Sequence, residues 1–146
     1  MKVQTTRFGE LELDEDSVIS MVKGFIGLEE CVRFTLLEHR PDSPFLWMQS
    51  LDRPELAFLV TDPFSFFSDY EVEVGQEDQT VLSSGGPEDL LVLVTVTVRG
   101  AGEEVTANLL GPLVFNLGQR IGKQIILPGD RYKTRHPLTP LRREAA

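Results

Sequence analysis

Strict alternation is the feature that most restricts how this chain folds. Residues 90–99 read Leu-Leu-Val-Leu-Val-Thr-Val-Thr-Val-Arg, rich in Leu, Val and Thr and poor in helix formers, which predicts the strongest strand of the chain. Other period-2 or strand-like stretches lie at 3–7, 9–13, 18–21, 33–38, 45–50, 57–60, 70–74, 105–108, 112–116 and 124–127. Turn residues separate them: Asp14-Glu15-Asp16, Gly24 with Gly27, Arg40-Pro41-Asp42-Ser43-Pro44, Asp52-Arg53-Pro54-Glu55, Ser84-Gly85-Gly86-Pro87 and Gly100-Ala101-Gly102. In 70–74 the alternation sets Tyr70, Val72 and Val74 on one face and Glu71 and Glu73 on the other. Pro63 ends the strand before it, since proline cannot donate to a ladder. No stretch of twelve or more residues shows a convincing amphipathic helical period, and 76–82 reads as a single helical turn. The reading is therefore mainly all-β, about eight short strands in an antiparallel barrel or sandwich with one or two short helical turns.

The 146 residues suit one domain, expected at 1–130, with a basic and loosely held tail at 131–146 that contains Pro137 and Pro140. The net charge of −9 is unevenly placed. Residues 1–118 hold 21 acids against 7 Lys and Arg, net −14, and residues 119–146 hold 2 acids against 7 Lys and Arg, net +5. An acidic body repels nucleic acid and attracts basic partners. Direct RNA binding by the tail segment Arg131-Tyr132-Lys133-Thr134-Arg135-His136 is disfavoured on the same ground, so no nucleic-acid partner is assigned. Acids occupy the N-terminal stretch where a signal peptide needs an apolar run, and no apolar run approaches the ~20 residues that span a bilayer. The expectation is a cytoplasmic protein with no membrane partner.

Chemistry is sparse. His39 and His136 are far apart and Cys31 is the lone cysteine, which leaves no ligand set for zinc and makes Cys31 a buried structural thiol. No Gly-x-Ser-x-Gly elbow is present. The Gly85-Gly86-Pro87 loop has neither the lysine nor the helix start of a phosphate cradle. No catalytic residue, metal or cofactor is assigned. The expected mode of action is binding, with a flavin-type cofactor-binding barrel enzyme as the alternative, because Trp47 and a nearby aromatic cluster offer rings for stacking.

That cluster is Phe64, Phe66, Phe67 and Tyr70, flanked by Asp62 and Asp69. Adjacent Phe66 and Phe67 point opposite ways on an extended chain, so both enter one core only if the segment turns. Two readings stand: a turn capping the barrel end, or an aromatic anchor for a partner ringed by polar groups. The stretch 108–116, with Asn108 and Asn116, is a second candidate surface, though satisfying turn backbone is the favoured role for its asparagines.

The order of several motifs resembles the flagellar assembly factor FliW family. They are Phe8-Gly9-Glu10-Leu11, Gly24-Phe25-Ile26-Gly27-Leu28-Glu29, Pro44-Phe45-Leu46-Trp47-Met48-Gln49-Ser50-Leu51-Asp52, Leu56-Ala57-Phe58-Leu59-Val60, Pro63, Asp69-Tyr70, Thr106-Ala107-Asn108-Leu109-Leu110-Gly111-Pro112-Leu113-Val114-Phe115-Asn116 and Gly122-Lys123-Gln124-Ile125-Ile126-Leu127. The match runs over about 7–138. The chain departs from the family pattern at Ile26, where proline is usual, at Leu28, where phenylalanine is frequent, and at Gly111, where alanine is usual. The resemblance implies a small antiparallel β-barrel with no catalytic centre. It also implies two partners: flagellin, bound before export, and CsrA, an RNA-binding repressor of flagellin translation antagonised away from its RNA-binding surface. Free protein relieves repression, and accumulating flagellin occupies it and restores repression.

Overall fold

The structure, a computed structural model, describes residues 1–138. Its strands are β1 (Lys2–Thr5), β2 (Gly9–Glu12), β3 (Ile19–Met21), β4 (Arg33–Glu38), β5 (Phe45–Ser50), β6 (Ala57–Thr61), β7 (Leu91–Arg99), β8 (Glu104–Ala107), β9 (Leu113–Asn116), β10 (Ile121–Gln124) and β11 (His136–Pro137). One short helix, α1 (Gln76–Val81), and 3-10 turns at Glu15–Ser17, Pro63–Ser65 and Pro87–Asp89 complete the elements. The fold is all-β in the main, as expected.

Seven strands close a barrel in the order β7-β6-β5-β4-β3-β10-β9, and β9 returns to β7. The alternating run becomes the seam. One edge of β7 takes β6 through Thr61–Val94, Val60–Thr95 and Leu59–Val96. The other edge takes β9 along Leu91–Leu93 and β8 along Val96–Arg99. The expected antiparallel pairing holds throughout with one correction: β3 and β10 pair in parallel, Ser20 with Ile121 and Met21 with Gly122. These two strands come from distant parts of the chain, and no hairpin constrains their direction.

Alternation separates two cores. Inward residues Phe34, Met48, Val60, Leu93, Leu113 and Phe115 fill the barrel with Ile19, Met21 and the thiol of Cys31. Outward residues Val94, Val96 and Val114 instead floor a second cluster with Leu82, Leu109, Ile125 and Leu127. It is covered by the connection 62–90 and by 125–138. Gly122 sits where a Cβ would lie 2.6 Å from the Phe115 ring and 2.9 Å from Met21 Sδ, so a small residue lets β10 close against the interior. The loop after β3 plugs one barrel end with Phe25, stacked on Phe58 at 4.5 Å and edge-on to Phe34 at 5.1 Å. Gly24 makes this possible: its φ is +63°, and a Cβ there would meet the Glu29 carbonyl oxygen at 2.6 Å. The Asp52 carboxylate accepts from the Val32 and Arg33 N–H groups at 2.9 and 2.8 Å. Burial pushes its carboxyl up, but those N–H groups and the Arg33 guanidinium outweigh it and hold it below the usual carboxylate range.

Two expected strands are corrected. Tyr70–Val74 has the expected facing, with Tyr70, Val72 and Val74 toward the outer cluster, but it joins no ladder. Alternation reports facing, and here the covered surface is the sheet's outer face rather than a neighbouring strand. The expected strand 124–127 ends at Gln124 because β10 spans Ile121–Gln124. Only isolated bonds follow, Ile125 N–H to the Pro112 carbonyl and Leu127 N–H to the Leu110 carbonyl. The part of the expected loose tail that the structure describes, 131–138, is docked: β11 pairs with β8 and Leu138 is buried. Residues 139–146 lie outside the described residues.

Candidate partner-binding surfaces

The first candidate surface begins where β6 ends. Asp62 caps the turn Pro63–Ser65, its Oδ1 accepting from the Phe64 N–H at 2.9 Å. The turn lets adjacent phenylalanines share one cluster. Phe66 is buried and stacks on Phe45 at 6.1 Å, while the half-buried Phe67 sits edge-on to His136 at 6.0 Å. Tyr70 is buried, and its hydroxyl donates to the Leu109 carbonyl at 2.7 Å. Burial, with the neighbouring Tyr132, pushes its phenol well above the usual range. Asp62, Phe64 and Asp69 remain on the surface, Phe64 at 45% exposure. The cluster thus divides into buried residues that hold the layer down and an exposed rim.

The second candidate stretch serves backbone. Asn108 Oδ1 accepts from the N–H groups of Leu110 and Gly111 at 3.1 and 3.0 Å. Buried Asn116 donates through Nδ2 to the carbonyls of Leu82 and Ser83 at 2.9 and 3.2 Å. It ties the end of the long connection to β9.

The residues missed at the level of sequence lie in the C-terminal strap. Tyr132 packs edge-on to Tyr70 at 4.8 Å and accepts the Glu71 N–H at 3.0 Å. His136 Nε2 accepts the Lys133 N–H at 2.8 Å. Burial, then the charge of Lys133, pulls its pKa below the ordinary value of 6.5. The signal was the tyrosine and histidine themselves, which an unattached basic tail does not need. Beside the strap, Glu71, Glu73, Arg131 and Tyr132 line a groove of about 360 Å³ floored by Leu127. Asp69, Glu71, Glu73 and Glu77 are exposed here, with Arg131 paired to Glu71 at 3.3 Å and Lys123 paired to Asp78.

Two of the departures from the family pattern meet through one side chain. Gln124 Oε1 accepts the Ile26 N–H at 3.0 Å, a bond that proline cannot make. Its Nε2 donates to the Gly111 carbonyl at 3.0 Å, and a Cβ at Gly111 would stand 3.0 Å from that same nitrogen. Ile26 and Gly111 therefore act as a matched pair around Gln124. No group of three His, Cys, Asp or Glu side chains suited to a metal occurs among the described residues. No helix there is long and apolar enough to cross a membrane.

Residues 2–138 match the family model described as FliW protein. The chain is 43% identical over 141 residues to the flagellar assembly factor FliW of Magnetococcus marinus, covering 96% of this chain and 86% of that protein. It is 38% identical over 139 residues to the flagellar assembly factor FliW of Natranaerobius thermophilus, covering 94% and 92%. A crystal structure of the flagellar assembly factor FliW superposes with a TM-score of 0.87 at 35% identity, over 94% of this chain and 96% of that one.

Proposed function

The chain belongs to the FliW family of flagellar assembly factors, and on that premise we propose that it works in the cytoplasm by binding flagellin and a CsrA-type repressor in turn. Flagellin held before export leaves the repressor free to silence flagellin messenger. Export releases this protein to bind the repressor and lift the silencing. The protein catalyses nothing and carries no cofactor; its output is which partner it holds.

The observation that carries the reading is the family match across nearly all the described residues. Charge supports it. The body is net −14 over residues 1–118, and the exposed run Asp69, Glu71, Glu73 and Glu77 offers a basic RNA-binding partner a field that speeds its encounter. A switch needs only that the two partners disfavour one another on one protein, and that coupling is reciprocal. The test uses purified protein with flagellin and CsrA from the same organism. Co-elution and calorimetric binding at micromolar levels are expected for each, with each partner weakening the other. Failure of both to bind ends the reading.

A further inference from the structure

β7 leaves the barrel before it ends. Its register with β6 stops at Leu59–Val96, yet β6 runs on to Ala57 along β5 and β7 runs on to Arg99 along β8. The two strands fork. The Asn108 N–H donates to the Thr95 carbonyl, so Thr95 and Thr97 turn their backbone groups to β8 while Val96 and Val98 turn theirs toward β6. The Ser50 N–H donates to the Leu56 carbonyl, which by the same alternation turns Ala57 toward β7. Past Leu59 no ladder joins them, and the Val98 N–H and C=O face an opening.

A cleft of about 520 Å³ occupies the fork, with Trp47, Phe58, Leu59 and Val98 among its walls. Val98 is 50% exposed, and Ile26 on the rim is 58% exposed. Arg7 is the one charged residue among the described residues that line it. Its guanidinium lies 4.5 Å from the centre of the Trp47 ring. No carboxylate pairs with it among the described residues.

We propose that this fork docks an extended, apolar segment of a partner protein that carries one carboxylate: the segment adds as a strand along the Val98 edge and sets its carboxylate on Arg7. Strand addition takes affinity from main-chain bonds and specificity from alternate side chains. In a chain of net charge −9, an exposed cation stacked on Trp47 at the cleft wall and lacking a carboxylate partner selects an acidic segment, and a basic one sets like charge against it. The inference rests on the partner reading above and assigns the cleft to flagellin, leaving the acidic face beside the strap to the basic repressor.

Amide hydrogen exchange followed by NMR tests it on the full chain, alone and saturated with full-length flagellin or with CsrA, with calorimetry alongside. Flagellin is expected to slow exchange at Val98 by at least about tenfold, while Thr97, already turned to β8, changes little. Arg7→Glu, at an exposed position, is expected to weaken flagellin binding about tenfold and Arg7→Lys much less. Flagellin binding with Val98 unprotected, or undiminished binding to Arg7→Glu, overturns the cleft assignment while the partner reading stands. Protection of Val98 by CsrA in place of flagellin overturns it as well. No flagellin binding by the unmodified chain fells that arm of the partner reading and this assignment with it.

Discussion

The barrel interior and the layer outside it are both apolar, and they are held by different means. Inside, Phe34, Met48, Val60, Leu93, Leu113 and Phe115 meet from facing strands whose ladders satisfy the backbone. Outside, the cluster on Val94, Val96 and Val114 is closed by segments with few ladder bonds, and its fixed points are polar. Tyr70 donates to the Leu109 carbonyl, Asn116 donates to Leu82 and Ser83, Tyr132 accepts from Glu71, and His136 accepts from Lys133. Alternation is enough to fill a barrel. A covering of loops must name a partner for each buried polar group.

The contrast has measurable edges. Phe34→Ala empties a fully buried position packed beside the stacked Phe25 and Phe58 rings and is expected to cost about 3–5 kcal/mol. The urea midpoint should fall with the slope unchanged, and a cost below about 1 kcal/mol would mean the interior is not the mainstay. Tyr70→Phe leaves the Leu109 carbonyl without its donor and is expected to cost about 1–2 kcal/mol. Exchange should quicken at Leu109 and Leu110, whose N–H groups donate to the Lys133 carbonyl, while amides of β4 and β5 keep their protection. Acid gives a smaller, local effect. The folded pKa of His136 lies below its ordinary 6.5, so the unfolded chain takes up the proton first. The stability it contributes is complete above 6.5 and declines as the pH drops through that value toward the folded pKa. Melting temperatures of the parent and His136→Gln should therefore converge or cross as pH falls from about 7 to 5. A gap independent of pH would mean that the ring's packing, not its protonation, matters. Smallest is Phe64→Ala: at 45% exposure it should shift stability by less than about 0.5 kcal/mol. A calorimetric loss of partner affinity with that variant would mark the 62–70 turn as contact surface as well as cover.

The same contrast explains what was legible in the sequence. β4, β5, β6 and β7 begin and end within one residue of the stretches read as strands, and the hairpin at Gly100-Ala101-Gly102 joins β7 to β8 as expected. The facing of 70–74 was legible too, but its lack of a strand neighbour was not, since period 2 encodes which side is buried and not what lies beside it. The aromatic cluster is split by burial, which its sequence spacing does not encode. Phe66 and Tyr70 are cover, and Phe64 is rim. Asn116 showed in sequence as a turn residue, yet its work is to hold Leu82 and Ser83 from across the fold, a long-range bond with no local signature. The fork between β6 and β7 was hidden for a related reason. Both strands are regular by sequence, and their parting depends on β5 and β8 pulling from opposite sides.

The parallel pair β3–β10 has a consequence in time. Ser20 meets Ile121, and Leu91 meets Phe115, so the sheet stays an open ribbon until the last barrel strand exists. A chain leaving the ribosome N-terminus first can form the β4-β5-β6 meander early, through short hairpins, but must hold Ile19 and Met21 uncovered meanwhile. Closure is then a late, non-local step, and a chaperone that shields that bare edge would change the yield of folded protein more than its final stability.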